Sequence, residues 1–273
     1  MPLSVFTFSH YPERIVTDYA PDGSIIGTPV LYENVLGSPG THFHFGPRST
    51  TWNGQLEQRL SPRFRIRALY ANTRSAGLVV LEPMYLDSIN ALHGAGHSLY
   101  RQAEISGRFE GKNGQQLILA YTRSRAQGNL NDFSSFTGNF PVPLIRPNVY
   151  SNLAGDVPNR FLAWGRVNLP KGLQFLPLAE YRSGFPYAQF DALGNYVGVP
   201  NQTRFPGYFN ADARILRDIK VNPKYTLRFS VSGFNLTNHF NALAVHANID
   251  DPQYGIFFGN YHLRYRADFD VLF

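Results

Sequence analysis

Apolar and polar residues alternate strictly along many short segments of this chain, and the last segment, YHLRYRADFDVLF (261–273), shows the pattern best. Every second residue from Leu263 to Phe273 is apolar, whereas the positions between them are charged or polar from His262 to Asp270. A period of two predicts a β-strand with one apolar face and one charged face. In a soluble sandwich the apolar face would pack on a second sheet. In an outer-membrane barrel it would contact lipid, and the charged face would line a wet interior.

Strand-like runs of the same kind flank five short turns. The turns lie at 21–23, 61–63, 111–114, 170–172 and 222–223, and each contains the Gly, Pro, Asn or Asp residues that tight turns prefer. In FRIRALY (64–70), for example, the apolar positions alternate with Arg65 and Arg67. Pro177 and Arg217 interrupt the alternation. The pattern predicts about eleven antiparallel strands, the first near 14–20.

Long segments rich in Gly, Pro, Asn and Ser separate these hairpins at 71–98, 127–158, 184–205 and 237–260. A compact soluble domain seldom carries several structureless loops longer than about 15 residues. Outer-membrane barrels have short periplasmic turns and long extracellular loops as a rule. The fold class predicted is therefore all-β, an antiparallel transmembrane β-barrel in which the last strand descends to the periplasmic side.

Eleven strands do not make a complete bacterial barrel, because single-chain barrels in bacteria have even strand numbers. The first strand would lack a neighbour and would leave an open edge, which lipid does not tolerate. The N-terminal sequence MPLSVFTFSHYPERI also lacks the features of a signal peptide. We therefore expect residues 1–273 to be the C-terminal part, about half, of a larger barrel made from a longer precursor.

The amino-acid composition further limits the classes of protein to which this chain could belong. The chain has no Cys, which excludes disulfides and thiol chemistry. No uncharged apolar run approaches the roughly 18 residues of a membrane-spanning helix. The formal net charge is +6, but basic residues such as Arg123 and Arg125, or Arg63, Arg65 and Arg67, alternate along strands as lumen-facing residues would. Nucleic acid is therefore not an expected partner.

Several stretches, taken in order, carry a resemblance to a known family. They are HYPERIVTDYAPDG (10–23), LEQRLSPRFRIRALYANTRS (56–75), LILAYTRSRAQGNL (117–130), NRFLAWGRVNLPKGLQF with SGFPY (159–187), and FSVSGFNLTNHFN (229–241). Together they resemble the TonB-dependent outer-membrane receptors, specifically the Oar-like subgroup with a carboxypeptidase regulatory domain. The resemblance covers nearly the whole chain but only the family's C-terminal barrel portion. It implies uptake of a bulky solute through a plug that residues 1–273 do not contain, so TonB would act only through that missing plug.

The resemblance also implies partners and site residues. The terminal strand matches the family's barrel-insertion signal through Tyr265, Phe269, Val271 and Phe273, although Arg266 and Ala267 stand where a Gly is usual. The expected partners are outer-membrane lipid and the barrel assembly machinery.

Two groups of aromatic residues have candidate roles. Tyr70, Phe109, Tyr121, Tyr181 and Tyr225 lie on predicted outward faces near strand ends, as a membrane-interface girdle requires, although ordinary sheet packing enriches the same residues. A second group in the loops would contact a ligand or would pack the loops against each other. Its members are Phe133, Phe136, Tyr150, Phe185, Tyr187, Phe257 and Phe258.

No motif indicates an enzyme, a metal site or a cofactor. His42 and His44 have a ligand-like spacing without a legible third ligand, and the predicted interior acids face arginines, as in cross-strand ion pairs. Three interpretations remain open: part of a receptor barrel, a self-sufficient small outer-membrane channel or structural barrel, and a soluble β-rich carbohydrate-binding protein.

Overall fold

The computed structural model describes residues 14–19, 25–32, 46–84, 89–131, 146 and 148–273. These residues form antiparallel strands joined by turns and irregular loops, with one 3₁₀ turn at Pro170–Gly172. The strands are β1 (Arg14–Tyr19), β2 (Ile25–Tyr32), β3 (Arg48–Ser61), β4 (Phe64–Met84), β5 (Ile89–Glu110), β6 (Gln116–Gly128), β7 (Ser151–Asn152), β8 (Asn159–Asn168), β9 (Leu173–Arg182), β10 (Pro186–Tyr187), β11 (Gln189–Phe190), β12 (Tyr196–Val197), β13 (Thr203–Arg204), β14 (Tyr208–Lys220), β15 (Thr226–Phe234), β16 (Ala244–Val245), β17 (Phe257–Phe258) and β18 (Arg264–Leu272).

Nine long strands form one antiparallel sheet in the order β18-β15-β14-β9-β8-β6-β5-β4-β3, with the short β7 beside β6. Strands β1 and β2 pair only with each other in a separate hairpin. Eleven of the described strands have six or more residues, which is the number that the sequence pattern predicts. The first of them, β1, falls within the predicted position.

Short turns and long connections lie at opposite ends of the strands, that is, along the two sides of the sheet that run across the strands. The predicted turns after β3, β5, β8 and β14 lie at one edge, here called the turn edge, and the turn at 21–23 lies outside the described residues. The connections that hold β7, β10–β13 and β16–β17 lie at the other edge, the loop edge. The predicted asymmetry between turns and loops is confirmed for the sheet.

The prediction of a loop at 71–98 is wrong. Strands β4 and β5 continue as a paired hairpin from Phe64↔Phe109 up to Met84↔Ile89. Hydrophobic alternation fades in this region because small and polar residues occupy both faces from 71 to 77 and a run of four apolar residues, Leu78–Leu81, follows, but backbone pairing does not require alternation. Register shifts absorb Gly77, whose positive φ of 67° suits glycine, so its presence does not end the strand.

The register separates the sheet into two faces of different chemistry. One cross-strand row joins Ala68, Ile105, Tyr121, Phe161 and Tyr181, and we name the face that carries it the apolar face. Its large side chains remain exposed; Ile105 and Phe161, for example, are 49% and 41% exposed. The structure therefore leaves a broad hydrophobic surface without a covering layer among the described residues.

The opposite face, here the charged face, carries paired ions. Its ion pairs include Arg67–Glu104 at 2.7 Å, Arg160–Glu180 at 2.8 Å and Arg228–Asp218 at 2.7 Å. These are cross-strand or diagonal partners, as the sequence predicts. Leu69, Trp164 and Leu178 also lie on this face, so it is mixed rather than wholly polar.

The two residues that interrupt the alternation both lie on the apolar face. Pro177 pairs in register with Ala213 of β14, whereas the pairing of β9 with β8 skips this position. Proline has no N–H group and cannot donate a hydrogen bond to the neighbouring strand, which explains the gap in the pairing of β9 with β8. Arg217 lies opposite Leu173, the first residue of β9, and is therefore close to the turn edge. A long basic side chain at such a position can reach the polar layer.

The sheet is open, with β3 and β18 as its two edges. They are not paired with each other, and eight antiparallel steps separate them, so they run in the same direction. All fourteen residues of β3 are exposed. The edges leave rows of backbone donors and acceptors without partners among the described strands.

At the loop edge, an asparagine-rich segment links β14, β15 and β18 through side-chain hydrogen bonds. The buried Asn235 side chain donates to Tyr261 O at 2.7 Å and to His239 O at 3.0 Å, and accepts from His239 N at 3.1 Å. Asn241 accepts from Phe209 N at 3.0 Å and donates to Phe209 O at 2.8 Å. This is the segment FNLTNHFN that contributes to the family resemblance, and its amides replace the ladder where the strands end.

Replacing Asn235 by Ala should lower the free energy of unfolding by about 2–3 kcal/mol, because buried backbone groups lose their partners. The φ of +50° at this position adds to the cost, since Asn tolerates it better than Ala does. Urea denaturation of the chain folded in neutral detergent measures the effect. Asn53→Ala on the exposed β3 is the matched control, and equal stabilities of the two variants would contradict the assignment.

Candidate functional site at the loop edge of the sheet

The main buried hydrophobic cluster of the described residues lies in the loops and not in the sheet. It consists of Tyr187, Ala188, Phe190, Val245 and Ala247, with Tyr196, Phe205 and Phe257 packed against it. The rings of Tyr187 and Phe205 meet edge to face at 5.4 Å, and those of Phe190 and Tyr196 meet at 4.6 Å. We name this cluster the loop core.

Backbone hydrogen bonds join the two long connections that build the loop core. Phe190 N donates to Ala247 O at 3.0 Å, and Ile249 N donates to Phe190 O at 2.7 Å. The tip of the β11–β12 hairpin is fixed in the same way, because Ala192 N donates to the Asp250 carboxylate at 2.8 Å. The Asp250 carboxylate therefore holds the tip of the β11–β12 hairpin in place.

A buried ion pair ties a third connection to the loop core. Asp156, which is 1% exposed, pairs through its carboxylate with the Arg204 guanidinium and accepts from Ala126 N at 2.5 Å. Arg204 also donates to Asp156 O at 2.9 Å and to Gly184 O at 3.2 Å. The pair thus joins the connection after β6 to the connection after β9, and the bond from Ala126 N attaches both to the end of β6.

A cavity of about 510 Å³ lies beside the loop core, at the loop ends of β9 and β14. This volume falls within the range of small-molecule sites. Most of its wall is aromatic or aliphatic, and its aromatic members are Phe185, Tyr187, Phe190, Tyr196, Phe205 and Tyr208. We name it the loop pocket.

Two arginines, Arg146 and Arg182, line the loop pocket, and Arg182 does so from the end of β9 in the main sheet. Its guanidinium carbon lies 4.2 Å from the ring centre of Phe185 and 4.3 Å from that of Tyr208. No acceptor among the described residues takes a hydrogen bond from it. The rings hold the guanidinium by cation–π contacts, and its N–H groups remain available to an anionic or carbonyl group of a ligand.

Tyr187 also lines the loop pocket and lies outside the strands of the main sheet. Burial, helped by the nearby Tyr254, raises the pKa of Tyr187 above its usual value. Its hydroxyl is therefore a neutral hydrogen-bonding group at physiological pH.

The predicted loop aromatics have different positions. Phe185 and Tyr187 line the loop pocket, while Phe257 packs in the loop core. Phe258 contacts His246 at 4.7 Å, and Tyr150 stacks on His97 at 5.3 Å. Phe133 and Phe136, like His42 and His44, lie outside the described residues. Sequence reasoning missed Arg182, although this residue directly precedes the SGFPY segment.

The predicted girdle residues all lie exposed on the apolar face or its extension at the turn edge. Tyr121 and Tyr181 share the row that runs through Phe161, and Tyr70 lies one step nearer the loop edge, where its ring centre is 5.1 Å from that of Trp52. Phe109 and Tyr225 lie near the turn edge.

The predicted insertion residues line the free edge of the sheet. Tyr265, Phe269 and Val271 pair in register with residues of β15, and the rings of Phe229 and Phe269 lie 5.0 Å apart. Phe273, which follows β18, is 95% exposed.

The prediction that Arg123 and Arg125 face the lumen is wrong. Tyr121 lies on the apolar face, and positions two and four residues further along β6 lie on the same face. The side chains of the two arginines therefore lie on the apolar face, in the part nearer the loop edge, where the face becomes basic. Arg65 and Arg67 lie on the charged face as predicted, and Arg63 lies in the turn.

Among the residues that the structure describes, no group of three or more His, Asp and Glu side chains is placed to hold a metal ion. Within the same ranges no helix is long and apolar enough to cross a membrane.

Two solved structures of TonB-dependent outer-membrane transporters share this fold. The closed form of the ferric-catecholate import receptor Fiu from Escherichia coli K12 matches with a TM-score of 0.56 and 17% identity, over 94% of this chain and 32% of the receptor. The outer membrane transporter YddB from Escherichia coli matches with a TM-score of 0.56 and 13% identity, over 88% of this chain and 34% of the transporter.

The chain therefore spans about a third of the length of each of these transporters. No family model and no curated protein matches the sequence. At these identities the likeness concerns the fold: an all-β antiparallel sheet that resembles part of a TonB-dependent receptor barrel.

Gly184→Ala should disrupt the loop pocket, because a Cβ at this position would lie 1.8 Å from Phe205 O. The backbone must shift to relieve the clash, at a cost of about 1–3 kcal/mol. Hydrogen–deuterium exchange should then accelerate at the amides of Phe190 and Phe205. Gly155→Ala is the control, since Gly155 also lines the pocket and has free space around it. Equal protection in both variants would contradict this packing.

Proposed function

We propose that this chain forms part of the barrel wall of a TonB-dependent outer-membrane transporter of the Oar-like subgroup, whose complete form takes up a bulky solute. The observation that carries the proposal is the apolar face. Exposed large hydrophobic side chains run across the sheet from Leu56 on β3 to Phe269 on β18, with no second layer over them in the described residues. The likeness in fold to Fiu and YddB supports lipid as the partner of such a face.

The direction of the free edges supports an incomplete wall. Because β3 and β18 run the same way, antiparallel closure requires an odd number of further strands between them. The β1–β2 hairpin supplies two, so it cannot close the barrel by itself. The same argument disfavours a self-sufficient small barrel. It also disfavours closure by a second copy related by an axis along the membrane normal, which would place like-directed strands side by side.

The proposal assigns the loop edge to the cell exterior and the turn edge to the periplasm. Phe109 and Tyr225 would then lie near the periplasmic interface, which Arg217 would also reach, and Tyr70 and Tyr181 would lie toward the outer interface. Tyr121, only four residues beyond the partner of Phe109, would lie within the bilayer. Tyr265, Phe269, Val271 and Phe273 would present the insertion signal to the barrel assembly machinery. TonB would act through a plug supplied by a segment outside residues 1–273.

Within this proposal the loop pocket is the solute-capturing site. It opens beside the charged face, which would line the lumen, and it combines aromatic walls with the Arg182 guanidinium. A solute with an apolar body and an anionic group fits this combination best. A soluble carbohydrate-binding protein would also use exposed aromatic rings, but it would not leave a whole sheet face apolar and uncovered.

Leu119→Arg should block insertion, whereas Ala120→Arg should not. Leu119 is 42% exposed on the apolar face, and an arginine facing the bilayer midplane costs about 2–4 kcal/mol. Ala120, the next residue of β6, lines a cavity of about 340 Å³ on the charged face beside Glu57 and Glu104. Folding yield in phosphatidylcholine vesicles, read from resistance to added protease, measures the difference.

Equal yields for the two variants would count against lipid contact on the apolar face. A wild-type chain that stays monomeric and folded in buffer without detergent would favour the soluble alternative instead.

A further inference from the structure

Four arginines gather on the apolar face where its hydrophobic residues end. They are Arg74 on β4, Arg101 on β5, and Arg123 and Arg125 on β6, and we name them the arginine cluster. The register places Arg123 one step beyond the row of Tyr121, beside Ala103 and in line with Tyr70. Arg125 lies one step further, directly opposite Arg101, and Arg74 lies a further step on, opposite Leu99.

This arrangement brings like charges together. Side chains that are directly opposite in an antiparallel pair have Cβ atoms about 5 Å apart, and two like charges there are destabilising. All four arginines are exposed. The described residues place no acidic side chain on this face of β3 to β6, so nothing in this part of the chain neutralises the cluster.

The charged face of the same strands shows the contrast. There Arg65 and Arg67 pair with Glu110 and Glu104 at 3.1 and 2.7 Å. In the arginine cluster, Arg123 donates to the Asn159 amide oxygen at 2.7 Å. Within the described part of the chain, Arg74, Arg101 and Arg125 have neither an ion pair nor a hydrogen bond. On β4 to β6 the missing counter-charge is therefore specific to the apolar face.

We propose that the arginine cluster binds phosphate groups of lipid headgroups in the leaflet on the loop side of the membrane. This inference rests on the proposed function, because it requires lipid to cover the apolar face. A strand rises about 3.3 Å per residue, so Arg125 stands about 26 Å along β6 from Leu117, the partner of Phe109. If Phe109 lies at the periplasmic interface, Arg123 and Arg125 approach the headgroups of the opposite leaflet, because the apolar band of a barrel is about 25 Å tall.

Arginine suits this partner. Its planar guanidinium donates two parallel hydrogen bonds to phosphate oxygens, and neighbouring arginines can share one phosphate or bind two adjacent ones. Lipid is favoured over a soluble anion because the cluster is continuous with the aromatic rows and is not part of the loop pocket. Trp52, which pairs in register with Asn72 beside Arg101, lies at the same height and is 55% exposed.

The test compares the full chain with the double variant R101Q/R125Q and with R166Q as the matched control. Arg166 on β8 is also an exposed arginine, but it lies on the charged face and would not contact lipid. Flotation measures binding to phosphatidylcholine vesicles with and without one-tenth diphosphoryl lipid A. The double variant should lose about 25-fold in affinity for the lipid A vesicles, or fivefold per arginine, while R166Q stays within twofold.

Controls separate this inference from the proposed function. On pure phosphatidylcholine, where choline neutralises the charge of each phosphate, all three proteins should bind within twofold of one another, and circular dichroism should show the same β-content. Wild-type chain that fails to bind pure phosphatidylcholine would contradict the proposed function, and the lipid A arm would still decide whether the cluster recognises phosphate. Wild type without added affinity for lipid A, or a double variant equal to wild type, would overturn the inference. So would full competition by 10 mM inorganic phosphate, which would identify a soluble anion as the ligand.

Discussion

The pairing requirement of the backbone is the constraint on which the rest of this structure depends. Each antiparallel strand satisfies its N–H and C=O groups only through its two neighbours, and a sheet that contacts lipid has no water to replace a missing neighbour. Seven of the nine long strands have both neighbours, whereas β3 and β18 each lack one. The open edges, and their common direction, define what a partner segment must supply: an odd number of strands that begin and end in the opposite direction.

The same ladder also determines where chemistry can be placed. Because the side-chain period is two, the register that keeps Tyr121, Phe161 and Tyr181 in one row also keeps Glu180 and Arg160 on the other face. The sheet itself has little buried core. The buried side chains gather instead at the loop edge. There the long connections pack around Tyr187 and Phe190, and the buried Asp156–Arg204 ion pair joins two of these connections. Loops that are tied together in this way can hold a pocket in place beside the sheet.

Local pattern was sufficient to predict the strands and the turns but not the extent of pairing or the loop layer. Alternation identified the terminal strand and the turn at 170–172, because each depends on a few neighbouring residues. The sequence does not predict the long β4–β5 hairpin, because small and polar residues at 71–77 and the unbroken apolar run Leu78–Leu81 show no alternation. Arg123 and Arg125 were placed on the wrong face because charge was taken as a sign of the lumen, although a face can change from apolar to basic along one strand. Arg182 and the loop pocket depend on contacts between connections far apart in the sequence, which no local pattern encodes.

The central claim is that lipid covers the apolar face while water reaches the charged face. Since the chain has no Cys, single cysteines can be introduced along β6 and spin-labelled one at a time. With the chain in phosphatidylcholine vesicles, collision with oxygen should be strongest at 117, 119 and 121, and collision with a water-soluble nickel chelate at 116, 118 and 120. Collision with the nickel chelate at all six positions, without a period of two, would contradict the account.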